Sequence, residues 1–395
     1  MAESTQLFYE DWANLPDPIL TQVFSYLSEV ERCRVGATCK HWLQCLETPQ
    51  LWRTFKCVFE LPEDRKHIKC IKKYGHFISR LTIVMNYMRY NYYEQEESNP
   101  AVMLYHLSCL KNVRLSYLSI VFHQSTVGGN EYFGKALQKL FIKIGEKKEK
   151  STLKHLDLPC LPKYFNDNLV EKISETCPNL EYLNFESTGT LGRFYLNHMV
   201  TLVLKCRKIQ ELNLYYTHLS DDVLKALSET DRKPLQRLGI VYSIYDDNKR
   251  DLSSVAWSSL LTANPDLKVS LRSEFLCPAD RILEIMKPEI PVQELCLSYD
   301  YRSPIYPVIN KAVAYYEQIL EKLVVSCDPS RELQESLLDA ARRCKKLKAL
   351  YVYRVLDKDV IDQILELCPL MRDTRDYILK SSKDGQWIVK KEECD

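Results

Sequence analysis

Residues 129–135 read Gly-Asn-Glu-Tyr-Phe-Gly-Lys, the spacing of a phosphate-binding loop, and a helical pattern follows from Ala136. Such a loop needs exposed backbone N–H groups, a lysine on the phosphates and a hydroxyl for magnesium. Here Ala136 stands where the hydroxyl belongs, Glu131 would repel phosphate, and Tyr132 and Phe133 would crowd the cradle. The segment reads instead as a Gly-Gly turn into a helix. The 8 histidines include no His-x-x-x-His pair, and Cys39 and His41 are too close for a zinc pair of usual spacing. No G-x-S-x-G elbow occurs, nor any local Cys/His signature. Carboxylates fall mostly at helix caps and exposed faces. The run Lys143–Lys150 mixes four lysines with two glutamates, as a solvated helix end does. No cofactor, metal or catalytic residue is expected.

Composition narrows the class further. The chain has 395 residues, 46% hydrophobic and 27% charged, values of a folded protein. Its formal net charge of +1 argues against a general nucleic-acid binder. Glycine, at 10 residues, is too scarce for Gly-rich linkers or a barrel with many tight turns. The 15 cysteines are odd in number and lack C-x-x-C spacing. No secretory apolar core follows Met1, and no run of about 18 apolar residues occurs. The expectation is a reducing compartment, cytoplasmic and/or nuclear and not secreted, with free and mostly buried thiols.

The elements that must position any site come in two kinds. In the first fifty-odd residues, Leu15-Pro16-Asp17-Pro18 opens a helix whose face is Ile19, Leu20, Val23, Phe24 and Leu27. Ser28 and Glu31 have capping-box spacing for a second helix, striped by Val35, Cys39, Trp42 and Leu46. Pro49 ends it, and Leu51-Trp52 begins the exit. A segment this short is either a helical cap on the next domain or a module that docks an apolar face on a partner. Leu15-Pro16, Leu20, Val23-Phe24, Tyr26-Leu27, Cys39-Lys40-His41-Trp42 and Leu51-Trp52 resemble the F-box family in type, order and spacing. Thr38 departs mildly, since the family commonly has Val there. The resemblance implies a Skp-family adaptor as partner, bridging to the cullin and RING subunit of a ubiquitin ligase. It also implies adaptor contacts at Leu15, Pro16, Ile19, Leu20, Val23, Phe24 and Leu27, with Trp42 and Trp52 packing internally.

Beyond this the pattern L-x-x-L-x-L recurs, mostly 25 to 32 residues apart. Copies include Ile78-Leu81-Ile83, Leu110-Val113-Leu115, Leu153-Leu156-Leu158, Leu180-Leu183-Phe185, Ile209-Leu212-Leu214 and Leu235-Leu238-Ile240. Val292-Leu295-Leu297, Leu320-Leu323-Val325 and Leu347-Leu350-Val352 follow, and Leu267-Val269-Leu271 is a contracted copy. The 43-residue step from Leu110 to Leu153 implies an insertion. Each copy predicts a short strand, and a returning helix capped by Asp, Asn or Ser. The stretches Phe165–Leu169, Leu219–Val223 and Leu356–Val360 each offer such a cap, while Cys177, Cys206 and Cys344 sit where a helix closes on the next strand.

The array resembles the cysteine-containing leucine-rich repeats that often follow an F-box, and the layout resembles the F-box only branch that includes F-box only protein 39. Residues Ile71–Gly75, Leu267–Val269 and Ile290–Pro291 contribute to that likeness.

The predicted fold is an all-α F-box module over 9–57, a semi-rigid helical linker over 58–76, an α/β leucine-rich-repeat solenoid over 77–385 and a tail over 386–395. Its parallel strands would lie on the concave side and its helices on the convex side. The implied function is substrate recognition within an SCF-type ligase, without catalysis by this chain. A scaffold or inhibitor that never promotes ubiquitin transfer is the alternative. Outward strand residues Tyr182, Asn184, Glu211, Asn213, Tyr215, Tyr351 and Tyr353 are the candidates for binding an unknown target protein. Neither nucleic acid nor membrane is an expected partner. The Tyr-rich stretches 87–100 and 298–307 are further candidates, or tolerated insertions.

Overall fold

A computed structural model describes residues 12, 15–60, 65–86, 99–122, 131–146, 151–159, 167–186, 196–243, 251–274, 277–298, 303–374, 376–381 and 387–390. Two compact units emerge. One runs to Asp157 with Glu175–Cys177, and the other holds Leu158–Ser174 and the chain from Pro178. The Tyr-rich residues 87–98, Tyr299 and Tyr301, and the start of the loop-like motif at Gly129, lie outside the described residues.

The first unit opens with helices α1 (Asp17–Ser25), α2 (Glu29–Val35) and α3 (Lys40–Cys45), then a 3-10 turn at Pro49–Leu51. Pro16 sits at the N-cap of α1, and Ser28 and Glu31 make the expected capping box on α2. The second helix expected from Ser28 to Leu46 is in fact two. The Thr38 hydroxyl donates to the Val35 carbonyl, and the Cys39 sulfur then accepts the Trp42 N–H at 3.4 Å, capping a new helix. Val35 and Cys39 therefore belong to different turns of a corner.

Strands β1 (Thr54–Phe59), β2 (Arg80–Met85), β3 (Tyr117–Phe122) and β4 (His155–Asp157) pair in parallel, each with the next. Helix α4 (Lys66–Tyr74) and the helices Asn99–Cys109 and Glu131–Gly145 lie between them in the chain. The residues read as a linker thus supply the end of a strand and a repeat helix. Trp52, Phe55 and Cys57 are all buried, at the same one-four-six spacing as the leucine triplets. Trp52 stacks on Tyr74 of α4 with centroids 4.0 Å apart, and its indole N–H donates to the Leu46 carbonyl.

A second difference concerns the triplet placed at Leu110-Val113-Leu115. Leu115, Leu118 and Ile120 are the buried set, with Leu118 and Ile120 inside β3. The steps then become 37 residues from Ile78 to Leu115 and 38 from Leu115 to Leu153, so the extra length is shared between two repeats. Glu131–Lys135 form the first turns of a helix with Phe133 buried, which is incompatible with a phosphate cradle at these residues. The expectation of free thiols fails at one pair: Cys33 of α2 and Cys70 of α4 form a disulfide, their Cα atoms 6.7 Å apart. Close packing of those helices brings the two sulfurs together, a proximity invisible from their separation of 37 residues.

The second unit repeats the construction with β5 (Tyr182–Phe185), β6 (Glu211–Tyr215), β7 (Arg237–Tyr242), β8 (Lys268–Ser273) and β9 (Val292–Leu297). It continues through β10 (Lys322–Val325), β11 (Ala349–Leu356), β12 (Tyr377–Ser381) and β13 (Trp387–Lys390). Neighbours pair in parallel from β5 to β12, and β13 pairs antiparallel to β12, within the segment read as a tail. The contracted copy at Leu267 coincides with a register shift between β8 and β9. Ser220, Ser253 and Ser330 cap their helices by accepting backbone N–H groups. Asp357 holds the N-cap position but is engaged by Gln334, which donates to its carboxylate at 3.1 Å. Cys177, Cys206 and Cys344 are buried, and burial pushes the Cys177 and Cys344 thiols up to about 12. Such thiols pack as small apolar groups. Among the described residues, no helix is long and apolar enough to cross a membrane.

Candidate functional site

Two surfaces gather the residues singled out by sequence. The first is the outer face of α1. Leu20 and Phe24 are buried, and the Phe24 ring meets Trp42 edge-on at 5.4 Å. They form the module's own core. Pro16 is exposed, and Ile19, Val23 and Tyr26 keep 48%, 44% and 81% of their surfaces accessible. Leu15 and Leu27 are half-buried. The spacing of 16, 19, 23 and 26 puts one apolar stripe about a quarter turn round α1 from Leu20 and Phe24. Tyr26 was missed in the sequence reading, although it falls three residues beyond Val23 on the same stripe.

Two polar devices hold this face in place. Arg32 is buried, and its guanidinium donates to the carbonyls of Phe24, Ser25 and Leu51. Those acceptors include the end of α1, where backbone oxygens lack helical partners. Arg32 also lies 6.0 Å from the Trp52 ring centroid. At the other end of α1, His41 of α3 pairs with Asp17 at 2.8 Å. The His41 imidazole and then the Cys45 thiol, both bonded to it, hold the Asp17 carboxyl below its usual pKa.

The second surface is a recess of about 230 Å³ on the strand face from β5 to β9. Tyr182, Asn184, Glu211 and Asn213 line it, as outward strand parity predicts. Gly239 makes the depression. A Cβ on it would come within 2.0 Å of the Asn213 side-chain oxygen, so the Asn213 amide occupies the space a side chain would take. From there Asn213 donates to the Tyr182 hydroxyl at 3.3 Å. Arg272 reaches back to Glu186 at 3.0 Å, roofing one end with an ion pair. Arg237, Lys268 and Glu294 complete a rim of mixed charge that the sequence reading did not assign.

The other three candidates lie apart from the recess. Tyr215 is buried and donates to Glu274, and Tyr351 is buried and donates to Asp376. Alternation alone overstated their accessibility, since a carboxylate takes up each hydroxyl. Tyr353 is exposed near the end of β11.

The F-box-like family profile matches residues 12–57. The chain is 30% identical over 237 residues to F-box/LRR-repeat protein 8 of Homo sapiens, covering 59% of this chain and 62% of that protein. It is 25% identical over 360 residues to F-box/LRR-repeat protein 21 of Bos taurus, covering 86% and 76%. F-box only protein 33 of Homo sapiens is 19% identical over 402 residues, covering 86% and 72%. The chain therefore spans about three fifths of the length of the first of these relatives. Among solved structures, the crystal structure of the Rad7 and Elc1 complex in yeast matches with 13% identity and a TM-score of 0.42, covering 95% of this chain and 91% of that one. The relatives' names span the F-box/LRR-repeat and F-box only groups, and what they have in common is the F-box.

Proposed function

We propose, from the premise that this chain is an F-box protein with leucine-rich repeats, that it is the substrate-recognition subunit of an SCF-type cullin–RING ubiquitin ligase. The F-box docks a Skp-family adaptor, the adaptor links to cullin and the RING subunit, and the repeat strands hold a target protein. The chain contributes position: it keeps the target near the ubiquitin carrier, and proximity accelerates transfer without a catalytic group here. The observation that carries this reading is the apolar stripe of Pro16, Ile19, Val23 and Tyr26, exposed on a module whose own core is already filled. An apolar helical face of this kind suits a helical partner's groove. The recess beside Gly239 supports a second docking surface for the target.

The test is co-purification of the full chain with purified Skp-family adaptor, beside an Ile19→Asp/Val23→Asp variant and a Tyr26→Ala variant. Burying Ile19 and Val23 is worth about 1.5–3 kcal/mol each, so the charged pair should weaken adaptor binding at least about 100-fold. Both side chains are exposed, and thermal unfolding should stay within about 2 °C of the parent. Equal adaptor binding by parent and variant would refute the docking face. Failure to ubiquitinate a captured partner in a reconstituted ligase would refute the substrate-recognition role.

A further inference from the structure

Asp17, His41 and Cys45 bring one donor atom each to within 4.8 Å of one another. His41 Nε2 is 2.8 Å and Cys45 Sγ 3.5 Å from the same Asp17 oxygen. His41 and Cys45 are four residues apart on α3, so their side chains project from one face of the helix a turn apart. Asp17 is the first residue of α1, flanked by Pro16 and Pro18, which restrict its backbone. The two helices also meet where the Phe24 ring packs edge-on against Trp42. Cys45 is fixed in the packed core, and His41 and Asp17 reach it from the surface.

We infer that Asp17, His41 and Cys45 form a three-ligand zinc site, with the fourth position open to solvent. Imidazole, thiolate and carboxylate are the three common protein donors to zinc. With tetrahedral bonds of about 2.0–2.3 Å, neighbouring donors lie roughly 3.3–3.7 Å apart. The His41–Asp17 and Cys45–Asp17 spacings of 2.8 and 3.5 Å are within about 1 Å of that requirement. Cys45 is buried, His41 is one-third exposed and Asp17 is mostly exposed, so the ion enters from the carboxylate side and water completes its shell. Binding converts the Cys45 thiol to a thiolate and releases its proton to solvent. Zinc then replaces the two hydrogen bonds that now meet at Asp17. The spacing that matters is His41-x-x-x-Cys45 with a third ligand from another helix, which is why the neighbouring Cys39 and His41 gave no signal in the sequence.

The experiment strips the full chain with chelator under reducing conditions and titrates it with cobalt(II), then with zinc. One equivalent of cobalt should give a thiolate-to-cobalt charge-transfer absorption with tetrahedral visible bands, and zinc should bleach both. Cys45→Ser should abolish the thiolate band. His41→Ala, at a part-exposed position, should weaken binding at least 10-fold. Cys109→Ser, at an exposed thiol, should change nothing. Absence of the band in the parent, its persistence in Cys45→Ser, unchanged binding in His41→Ala, or its loss in Cys109→Ser would each overturn the site.

Discussion

Arg32→Met removes a guanidinium and keeps much of the apolar stem that packs in the F-box. The lost donors served the carbonyls of Phe24, Ser25 and Leu51. Ser25 is exposed, so water replaces its donor. The Phe24 carbonyl keeps the Leu27 N–H, so the buried Leu51 carbonyl is the one left orphaned, at about 1–3 kcal/mol. Losing the contact with the Trp52 ring adds about 0.5–1 kcal/mol. Relief from burying a cation offsets part of this, since burial also lowers the pKa of Arg32. The net expectation is about 2 kcal/mol. For a unit of this size, that is a fall in melting temperature of about 4–8 °C. Arg34→Met, two residues along and exposed, should change stability by less than about 0.5 kcal/mol. Calorimetry on the purified variants measures both. If Arg32→Met unfolds within about 2 °C of Arg34→Met, the guanidinium is not what holds the end of α1, and the reasoning fails.

Two further outcomes follow from the second unit. Gly239→Ala places a methyl where the Asn213 amide sits, so Asn213 must swing out and release Tyr182. Because the atom displaced is the end of a side chain, stability in urea should change by less than about 1 kcal/mol, while capture of any target that enters the recess should fall at least 10-fold. Burial pushes the His218 pKa down to about 4. Its folded pKa lies below the value of about 6.5 in the unfolded chain, so its stabilising contribution is complete above pH 6.5 and drains as pH falls toward 4. Between pH 7.5 and 5.5 this costs about 1.4 kcal/mol, and His218→Gln should remove that difference. Identical pH dependence in parent and variant would show that His218 is not held neutral by burial.

Much of this architecture was legible because a repeat states its own register many times. Leu180, Leu183 and Phe185 are buried, as are their counterparts through Val352. Errors arose where one signal was weighed without its neighbours. Leu110 starts a triplet on paper, but Leu115, Leu118 and Ile120 complete a better one, with all three buried. Trp52, Phe55 and Cys57 hid a strand because their aromatic and sulfur side chains matched an F-box exit. Arg32 stands three residues before Val35, and a charged residue there adds nothing to an apolar periodicity. The recess was half legible. Strand parity brought Tyr182, Asn184, Glu211 and Asn213 together, but a hollow depends on what is missing at Gly239, and absence has no periodicity. The Cys33–Cys70 link and the Asp17–His41–Cys45 cluster join separate helices, so nothing local announces them.

The family match stops at residue 57, inside β1, which runs from Thr54 to Phe59. A repeat fragment cut at that match would lose its first strand and bare the backbone edge of β2, where Leu81, Ile83, Val84 and Met85 are apolar. An uncovered apolar edge is a template for pairing with another copy, so the fragment should precipitate or form β-rich assemblies. Chimeras that graft a different F-box onto these repeats therefore belong at the turn before Thr54, where the exchange leaves every strand its neighbour.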